Sequence, residues 1–450
     1  MDYSEKKVLI MGLGLHGGGL ESARFMLKRG AKITVTDLRE EAVLKPSIEK
    51  LDIIASEFGH PPVRYVIGRH ETDDFADADI VIKNPGVRPD SPFLQKAKKI
   101  ETDISLFLSE SPARLFAVTG TKGKSVTAAA LHWIIKNSYL GGNITVSPLT
   151  FLDDLTSNDN VVLELSSFQL GDLKGRTFAD GSPLLKPAAA ILTAIMEDHL
   201  DRYSSMEEYI DDKRYIYRGQ DSNCVTVAGN DDWGRSFLAE TKARPVMYSL
   251  KDIKKEHIDL LPEKLLVTGE HQKINLLAAG LAAYECGIGV ETVRTALSDF
   301  RGVEHRLEMF HEARGLRFYN DSAATIPEAA ALCVEALCLN APLILVTGGT
   351  DKNLDFSPLV KALVAAGAKI AAVILLAGTG SEKLTRLLAE NSISFSGPFD
   401  NLDTAVQTAL DKAKPGYSVA LSPGCASFGM FLNEFDRGRK WKNAVLGKTG

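Results

Sequence analysis

The chain has 450 residues, of which 45% are hydrophobic and 24% are charged, and its formal net charge is −6. The length predicts more than one domain, and the composition is typical of a globular protein. The negative charge argues against nucleic-acid and membrane-surface partners, which attract clustered Lys and Arg. Five scattered cysteines without a Cys-x-x-Cys pair argue against a disulfide framework or a zinc site. The sequence has neither a signal-peptide pattern nor a long apolar run that would span a membrane, so we expect a cytoplasmic protein.

The first segment begins as a β-α-β unit. Residues 6–14 form a short apolar run that ends in glycines, a helical stretch follows, and residues 31–37 form a second apolar run. Such a unit implies a parallel sheet covered by helices. The glycines Gly12, Gly14 and Gly17 resemble the turn that binds the diphosphate of a dinucleotide or a UDP-sugar. A tight turn of any α/β domain would explain the same glycines, and the sequence leaves both interpretations open.

A second start, at residues 115–120, carries a phosphate-loop pattern. The segment Ala117–Ser125 is predicted to follow a strand and to open a helix. Its glycines let backbone N–H groups approach phosphate oxygens, and the helix N-terminus adds a favourable dipole. Lys124 can reach the outer phosphates, and the Ser125 hydroxyl can bind Mg²⁺. The full phosphate-loop pattern is not met because Val118 replaces its first glycine, and a glycine-rich turn with a chance lysine is the alternative.

Two polar residues follow apolar runs of this middle segment. Glu164 lies at the end of the run 161–165, and His199 follows the run 188–195. A carboxylate at the end of a buried strand is costly unless it binds a cation or hydrogen-bond donors. In phosphate-loop folds, an acidic residue at this position is typical of a Mg²⁺ site. As single residues, each is more often structural than functional.

Lys213 lies in a predicted amphipathic helix. Met206, Ile210 and Tyr217 share one face of this helix, and Lys213 stands at a helical spacing that places it on the same inward face. A lysine there either extends to the surface or is a desolvated amine with a lowered pKa. Such an amine can react with carbon dioxide to give a carbamate, an oxygen ligand that suits Mg²⁺. The residue alone does not separate these interpretations.

A third α/β start follows Arg301 and Gly302. Its predicted strands are residues 316–321, 342–349, 370–378 and 417–424. The sequence therefore predicts a three-domain α/β fold. The predicted domains are a Rossmann-like N-terminal domain at 1–109, a central P-loop ATPase-like domain at 110–302 and a Rossmann-like C-terminal domain at 303–450.

The ordered motifs resemble the Mur ligase family over nearly the whole chain. After the phosphate loop, Glu164, His199 and Lys213 occur in the family's order. The later motifs are Gly269-x-His271-x-x-x-Asn275, His305-Arg306, Asn320-Asp321-Ser322, Gly348-Gly349-x-Asp351-Lys352 and Ser422-Pro423-x-Cys425-Ala426-Ser427. Each motif is weak alone, but their order is specific jointly. The first domain and the last motif are most similar to the members that add D-glutamate to UDP-N-acetylmuramoyl-L-alanine.

The resemblance implies a role for each motif. Its implied ATP-binding residues are Gly120, Thr121, Gly123, Lys124, Ser125, Asn275, Arg306 and Asp321. Its implied ligands for two Mg²⁺ ions are Ser125, Glu164, His199 and carbamylated Lys213. The implied contacts of the UDP substrate are Gly14, Gly17, Asp37, Arg39, Asn84, Gly86, Asn143 and Ser166. The implied contacts of the amino acid are Thr325, Lys352 and Ser427, and the implied catalytic residues are Lys124, His199 and Lys213.

The implied reaction proceeds through an acyl phosphate. A carboxylate of the UDP substrate attacks the γ-phosphoryl group of ATP, and the amine of the amino acid then displaces phosphate. Phosphoryl transfer needs positioning and charge neutralisation, which Lys124 and two Mg²⁺ ions would supply. The family also implies closure between domains and a monomer.

Four positions depart from the pattern of the D-glutamate-adding members. His16, Gln272 and Ala323 replace residues that are more usual there, and Glu434 stands where an aromatic residue usually follows Asn433. If Glu434 faced the pocket, its charge would disfavour a dicarboxylic amino acid.

Three other functions remain open from the sequence. The first is a related ligase, either a Mur ligase for another amino acid or a folylpolyglutamate synthase. The second is a nicotinamide-dependent dehydrogenase built on the Gly12 turn, and the third is a non-catalytic nucleotide-binding regulator.

Overall fold

The computed structural model describes residues 2–14, 18–144, 146–198, 202–250, 260–267, 269–351 and 354–450. The chain divides into two compact units. The first comprises Met1–Leu260 and Asn275–Arg294, and the second comprises Leu261–Ile274 and Thr295–Gly450. Across the described ranges, no helix has both the length and the apolar character needed to cross a membrane.

The first unit contains two parallel sheets, and the N-terminal one has the strand order β3-β2-β1-β4-β5. Its strands are β1 Lys7–Met11, β2 Lys32–Asp37, β3 Arg64–Ile67, β4 Ile80–Lys83 and β5 Ile100–Glu101. Its helices are α1 Gly18–Lys28, α2 Glu41–Glu57, α3 Thr72–Asp77 and α4 Asp103–Glu110. The strand order reverses between β1 and β4, and open parallel sheets bind ligands at such a switch point, beyond the strand carboxyl ends. The predicted β-α-β unit is confirmed.

The second sheet of this unit has the order β11-β10-β9-β6-β8-β7. Its strands are β6 Arg114–Thr119, β7 Ser138–Gly142, β8 Asn160–Glu164, β9 Ala189–Leu192, β10 Val225–Gly229 and β11 Arg244–Tyr248. The helices between residues 120 and 300 are α5 Lys124–Ile134, α6 Ser167–Gly171, α7 Met206–Arg218, α8 Asp232–Glu240, α9 Glu270–Glu285 and α10 Val290–Asp299, of which the last two have residues in both units. Strand β6 lies between β8 and β9, so the phosphate loop that follows it emerges beside the ends of both neighbours.

One apolar core runs through the first unit. The ring of Phe107, in α4, lies 5.9 Å from the ring of Phe151, which follows β7 in the chain. Both belong to a cluster that extends from Tyr3 to Phe237. The buried apolar side chains of the two sheets are therefore continuous, and the boundary expected at residue 109 stays a prediction.

The second unit contains one six-stranded sheet with the order β12-β13-β17-β14-β15-β16. Its strands are β12 Glu308–Ala313, β13 Leu316–Asn320, β14 Leu343–Thr347, β15 Ile370–Leu376, β16 Phe395–Phe399 and β17 Ser418–Leu421. Its helices are α11 Pro327–Cys338, α12 Ser357–Ala366, α13 Thr379–Glu390, α14 Leu402–Lys412 and α15 Glu434–Thr449. Only β12 is antiparallel to its neighbour, so the other five strands end at the same edge. The predicted α/β fold with three sheet-bearing regions is confirmed.

Candidate active site

The phosphate loop has a backbone that requires glycine at two positions. Gly120 and Gly123 have φ angles of 147° and 90°, in the region that L side chains rarely adopt. A Cβ atom on Gly120 would lie 1.9 Å from Oγ1 of Thr193, and one on Gly123 would lie 2.3 Å from Oδ1 of Asn275. Helix α5 begins at the next residue, so the loop presents backbone N–H groups at a helix N-terminus, as an anion site requires.

Two lysines converge on this loop. Lys124 Nζ donates hydrogen bonds to the carbonyl oxygens of Gly120 and Thr121, both at 2.9 Å. Lys213 Nζ donates to the same Gly120 oxygen at 2.9 Å and lies 4.4 Å from the ring centroid of Tyr209. The structure therefore brings the predicted Lys213 to the phosphate loop, although Lys124 and Lys213 are separated by 89 positions in the sequence.

Burial changes the chemistry of Lys213. Its side chain is on the inward face of α7 and is only 1% exposed, as the helical spacing predicted. Burial lowers the pKa of its amine well below the usual range, and the neighbouring positive charge of Lys124 lowers it further. A larger fraction of the amine is therefore neutral, which is the form that reacts with carbon dioxide.

Glu164 has the position and the unmet bonding of a cation ligand. It ends β8, is 1% exposed, and its Oε1 accepts a hydrogen bond from Asn143 Nδ2 at 2.8 Å. Within the described ranges, no group hydrogen-bonds to Oε2. A buried carboxylate oxygen without a partner is unfavourable, and a bound Mg²⁺ would satisfy it. The residues present therefore fit the expected metal, with Ser125 and Lys213 at the neighbouring phosphate loop.

A cavity of about 500 Å³ joins the phosphate loop to the switch point of the first sheet. The residues that line it include the predicted Gly14, Arg39, Asn84, Gly86, Lys124, Asn143, Ser166 and Lys213. Asp37 lies just behind it, where its Oδ2 accepts from the Gly14 N–H at 3.3 Å and its Oδ1 from the Arg39 N–H at 3.0 Å. Gly12 allows the close approach of Asn84, since a Cβ at Gly12 would lie 2.9 Å from that of Asn84.

In the second unit, Asp321 is held by neighbours from two other segments. Its Oδ1 accepts from the Leu307 N–H at 2.9 Å, and its Oδ2 accepts from Ser422 Oγ at 2.7 Å. Burial raises the pKa of Asp321 to about 7. Arg306 is exposed, and its positive charge acts in the opposite direction on that pKa.

The segments that carry Thr325 and Ser427 are adjacent in this unit. The Gly424 N–H donates to the Ala324 carbonyl at 2.9 Å, beside Thr325. Ser427 is 4% exposed, and Thr325 is half-buried. The structure therefore brings two of the three predicted amino-acid contacts onto neighbouring segments.

Arg437 is a buried residue of this region that the sequence analysis missed. It is 1% exposed, and it donates hydrogen bonds to Ser322 Oγ, to the Ser322 carbonyl and to the Cys425 carbonyl, at 3.0, 2.8 and 3.1 Å. It thus ties helix α15 to the two segments named above. Glu434, at the start of α15, is half-buried, and Phe435 packs on His305 with ring centroids 5.6 Å apart.

The sequence analysis also missed several residues that line the cavity. Asp103, at the start of α4, lines the cavity, and burial raises the pKa of its carboxyl to about 6. In the sequence, Asp103 is marked only by the capping residue Thr102, which directly follows a strand. Such a residue indicates the start of a helix rather than a ligand site.

Three predicted site residues, Gly17, His199 and Lys352, lie outside the described ranges.

Three family models match consecutive parts of the chain. They are the MurD-like N-terminal domain of Mur ligases over residues 6–105, the Mur ligase middle domain over residues 118–283, and the Mur ligase glutamate ligase domain over residues 305–425. The chain belongs to the Mur ligase family. Mur ligases are ATP-dependent ligases, and the chain is therefore an enzyme of this class.

Two relatives agree with this membership, and a solved structure shares the fold. The Mur ligase is 39% identical to the UDP-N-acetylmuramoylalanine–D-glutamate ligase of Borreliella afzelii, with 97% of each chain covered. It is 36% identical to the ligase of the same name from Treponema pallidum, with 98% of this chain and 97% of the relative covered. The crystal structure of the UDP-N-acetylmuramate–alanine ligase MurC from Thermotoga maritima covers 99% of this chain with a TM-score of 0.58, and at 19% identity it shows the fold alone.

Proposed function

We propose that the enzyme joins D-glutamate to UDP-N-acetylmuramoyl-L-alanine at the expense of ATP, in peptidoglycan synthesis. The observation that carries this proposal is the cavity that runs from Asn84 and Gly86 to Lys124 and Lys213. A UDP group held at the switch point of the first sheet would extend its acyl end toward the phosphate loop. Relatives named for this reaction support the choice of both substrates.

The phosphate loop performs the first step. Backbone N–H groups of residues 120–125 would hold the phosphates of ATP, and Lys124 would leave its carbonyl acceptors to contact the outer ones. An oxygen of the substrate carboxylate attacks the γ-phosphorus, the bond to ADP breaks, and an acyl phosphate forms. Because the attacking carboxylate and ATP are both anionic, Lys124 lowers the barrier by neutralising charge.

The second step forms the amide bond. The nitrogen of the incoming amino acid attacks the acyl carbon, and the bond from that carbon to the phosphate oxygen breaks. We assign Thr325, Ser427 and Lys352 to the amino acid, and Arg306 and Asp321 to the nucleotide, as the family resemblance implies. The hydrogen bond from the Gly424 N–H to Ala324 holds the Thr325 and Ser427 segments together, which supports their common role.

The proposed metal ligands are Ser125, Glu164, His199 and carbamylated Lys213, for two Mg²⁺ ions. The unpartnered Oε2 of Glu164 and the lowered pKa of Lys213 support this set. When bound, Mg²⁺ neutralises phosphate charge. Carbamylation joins the neutral Lys213 nitrogen to the carbon of CO₂ and releases one proton from that nitrogen, and it replaces a buried neutral amine by an anion beside Lys124.

Phosphate release from ATP tests the proposed substrates. The reaction contains UDP-N-acetylmuramoyl-L-alanine and, in separate assays, D-glutamate, L-glutamate, lysine, glycine or no amino acid. We expect release to require both the UDP substrate and D-glutamate. Release with the UDP substrate and a different amino acid would reject D-glutamate and make Glu434 the first residue to exchange. Cofactor reduction without ATP turnover would favour the dehydrogenase instead.

We also propose that the enzyme is a cytoplasmic monomer. Both proposed substrates and ATP are small polar anions, which a cytoplasmic enzyme meets in solution. Light scattering on the purified protein tests the oligomeric state, and a mass of 48.8 kDa is expected. A mass of twice that value would reject the monomer.

A further inference from the structure

A buried ion pair lies directly behind the turn that follows β4. Lys83, the last residue of β4, is 3% exposed, and its Nζ lies 2.7 Å from Oδ2 of Asp172. Asp172 directly follows α6, the short helix whose first residue, Ser167, lines the cavity. The pair thus joins the N-terminal sheet to helix α6, which follows a strand of the second sheet in the same unit.

This pair is a weak source of stability. Burial lowers the pKa of Lys83 and raises the pKa of Asp172, although the charge of each partner opposes that shift. Desolvation therefore outweighs the mutual attraction, as it often does for buried ion pairs. What such a pair does provide is a fixed position of two elements relative to one another.

The turn itself is held by two cations. Lys83 Nζ donates to the Val87 carbonyl at 2.9 Å, and Arg202 donates to the carbonyls of Gly86 and Val87 at 3.0 and 3.2 Å. The guanidinium carbon of Arg202 also lies 3.7 Å from the ring centroid of Phe168, in α6. Both cations therefore tie the turn to the α6 region, one through Asp172 and one through Phe168.

Asn84 and Gly86 of this turn line the cavity, and they are proposed to hold the UDP substrate there. We infer that Lys83, Asp172 and Arg202 are positioning residues that set the distance between this substrate and the phosphate loop. The inference rests on the proposed function. A displacement of about 1 Å in bound reactants costs about 100-fold in rate, so a fixed turn matters to the reaction.

The test compares Lys83→Met with Lys7→Met. Lys7 lies in the same sheet and pairs with Asp77, but both side chains are more than half exposed. We expect Lys83→Met to lower kcat/KM for UDP-N-acetylmuramoyl-L-alanine at least about tenfold, with the KM for ATP changed less than about twofold. Lys7→Met should leave both values unchanged.

A second variant separates positioning from stability. Lys83→Met leaves Asp172 buried and unpaired, so it also lowers the melting temperature. Adding Asp172→Asn removes that charge and should restore most of the melting temperature while kcat/KM for the UDP substrate stays lowered. If Lys83→Met does not fold, the double variant and Arg202→Lys, which loses one of two hydrogen bonds to the turn, give the same readout.

An unchanged kcat/KM for the UDP substrate in the folded variants would overturn the inference, and so would a kcat/KM that recovers together with the melting temperature. These results are distinct from failure of the proposed function. In that case the unaltered enzyme itself would show no turnover that depends on the UDP substrate.

Discussion

Lys213 is buried, and its side chain contacts the phosphate loop. It is 1% exposed, and its amine contacts the Gly120 carbonyl. A structural lysine at such a depth would be costly, because desolvation disfavours its charged form. The lowered pKa of this amine and the unpartnered oxygen of Glu164 both favour the proposed carbamate, which would share metal ions with that carboxylate.

The proposed carbamate would make Lys213 necessary for turnover. Lys213→Ala removes the proposed oxygen ligand, so we expect kcat to fall at least about 100-fold, as when a preorganised charge-stabilising group is lost. Acetate, which offers a carboxylate in the vacated space, should restore part of the activity. The control is Lys186→Ala, since Lys186 is about half exposed and pairs with Asp221 on the surface. Full activity of a folded Lys213→Ala protein would contradict the role.

Asp321 gives a prediction on pH and stability. Its pKa is about 7 in the folded protein and 3.8 as the ordinary value, so the folded state retains a proton that the unfolded state loses. Stability therefore falls as the pH rises from about 4 to about 7. Asp321→Asn carries no such proton. We expect Asp321→Asn to be more stable, relative to the unaltered protein, at pH 8 than at pH 5, because only the unaltered protein loses stability through this carboxyl as the pH rises.

Denaturant unfolding at the two pH values measures this difference. Because other groups titrate in both proteins, the comparison uses the difference between variant and unaltered protein at each pH. An identical difference at pH 5 and pH 8 would show that the Asp321 carboxyl is not held protonated by burial.

At the scale of elements, the phosphate loop depends on glycine for space as well as for conformation. Gly123 and Gly181 both have positive φ angles, of 90° and 81°. An added Cβ would meet Asn275 Oδ1 at 2.3 Å in the first case and nothing within 4 Å in the second. Alanine at either position costs roughly 1–2 kcal/mol of backbone strain, and only Gly123→Ala also displaces a side chain at the loop.

The prediction is therefore a difference between two matched variants. Gly123→Ala should raise the KM for ATP at least about tenfold, because the loop must move to relieve the contact and its N–H groups lose their alignment. Both variants should lower the melting temperature, because both introduce backbone strain. Gly181→Ala should leave the KM for ATP unchanged. Equal ATP kinetics in the two variants would show that the loop tolerates the displacement.

The elements that the sequence predicted share one property. Strands such as β1, β6, β8 and β14 are buried in parallel sheets, and such strands are continuous apolar runs that a sequence shows directly. Most of the strands that were not predicted lie at sheet edges, where packing constrains the sequence of a strand less. Strand β16 contains Gly397 and Pro398, and β5 has only two residues. Pattern alone does not reveal a strand of that kind.

The residues of the candidate site also fall into those that the sequence predicted and those that it did not. Lys124 and Lys213 carry local signals, a glycine loop and a helical face, and both could be predicted. Asp103 and Arg437 have no such signal. Asp103 reaches the cavity of the first unit through strand order, and Arg437 reaches Ser322 in the second unit through the packing of a helix far along the chain. Lys83 was missed for the same reason, since its partner Asp172 is distant in sequence.

At the scale of the whole molecule, the proposed reaction assigns one function to each of the three sheet-bearing regions. The first sheet offers a glycine turn and Asn84 at its switch point, the second offers the phosphate loop, and the third offers the Asp321 and Ser427 segments. In every case the residues follow the carboxyl ends of parallel strands, where α/β sheets place ligands. An ATP-dependent ligase with a UDP-linked acceptor accounts for all three.

The most direct test of this account is the product itself. The purified enzyme is incubated with ATP, Mg²⁺, UDP-N-acetylmuramoyl-L-alanine and D-glutamate, and the mixture is analysed by mass spectrometry together with a phosphate assay. We expect the UDP species to gain the mass of one glutamyl residue, with one phosphate released for each product formed. Phosphate release without that product, or a product formed equally well with L-glutamate, would contradict the central claim.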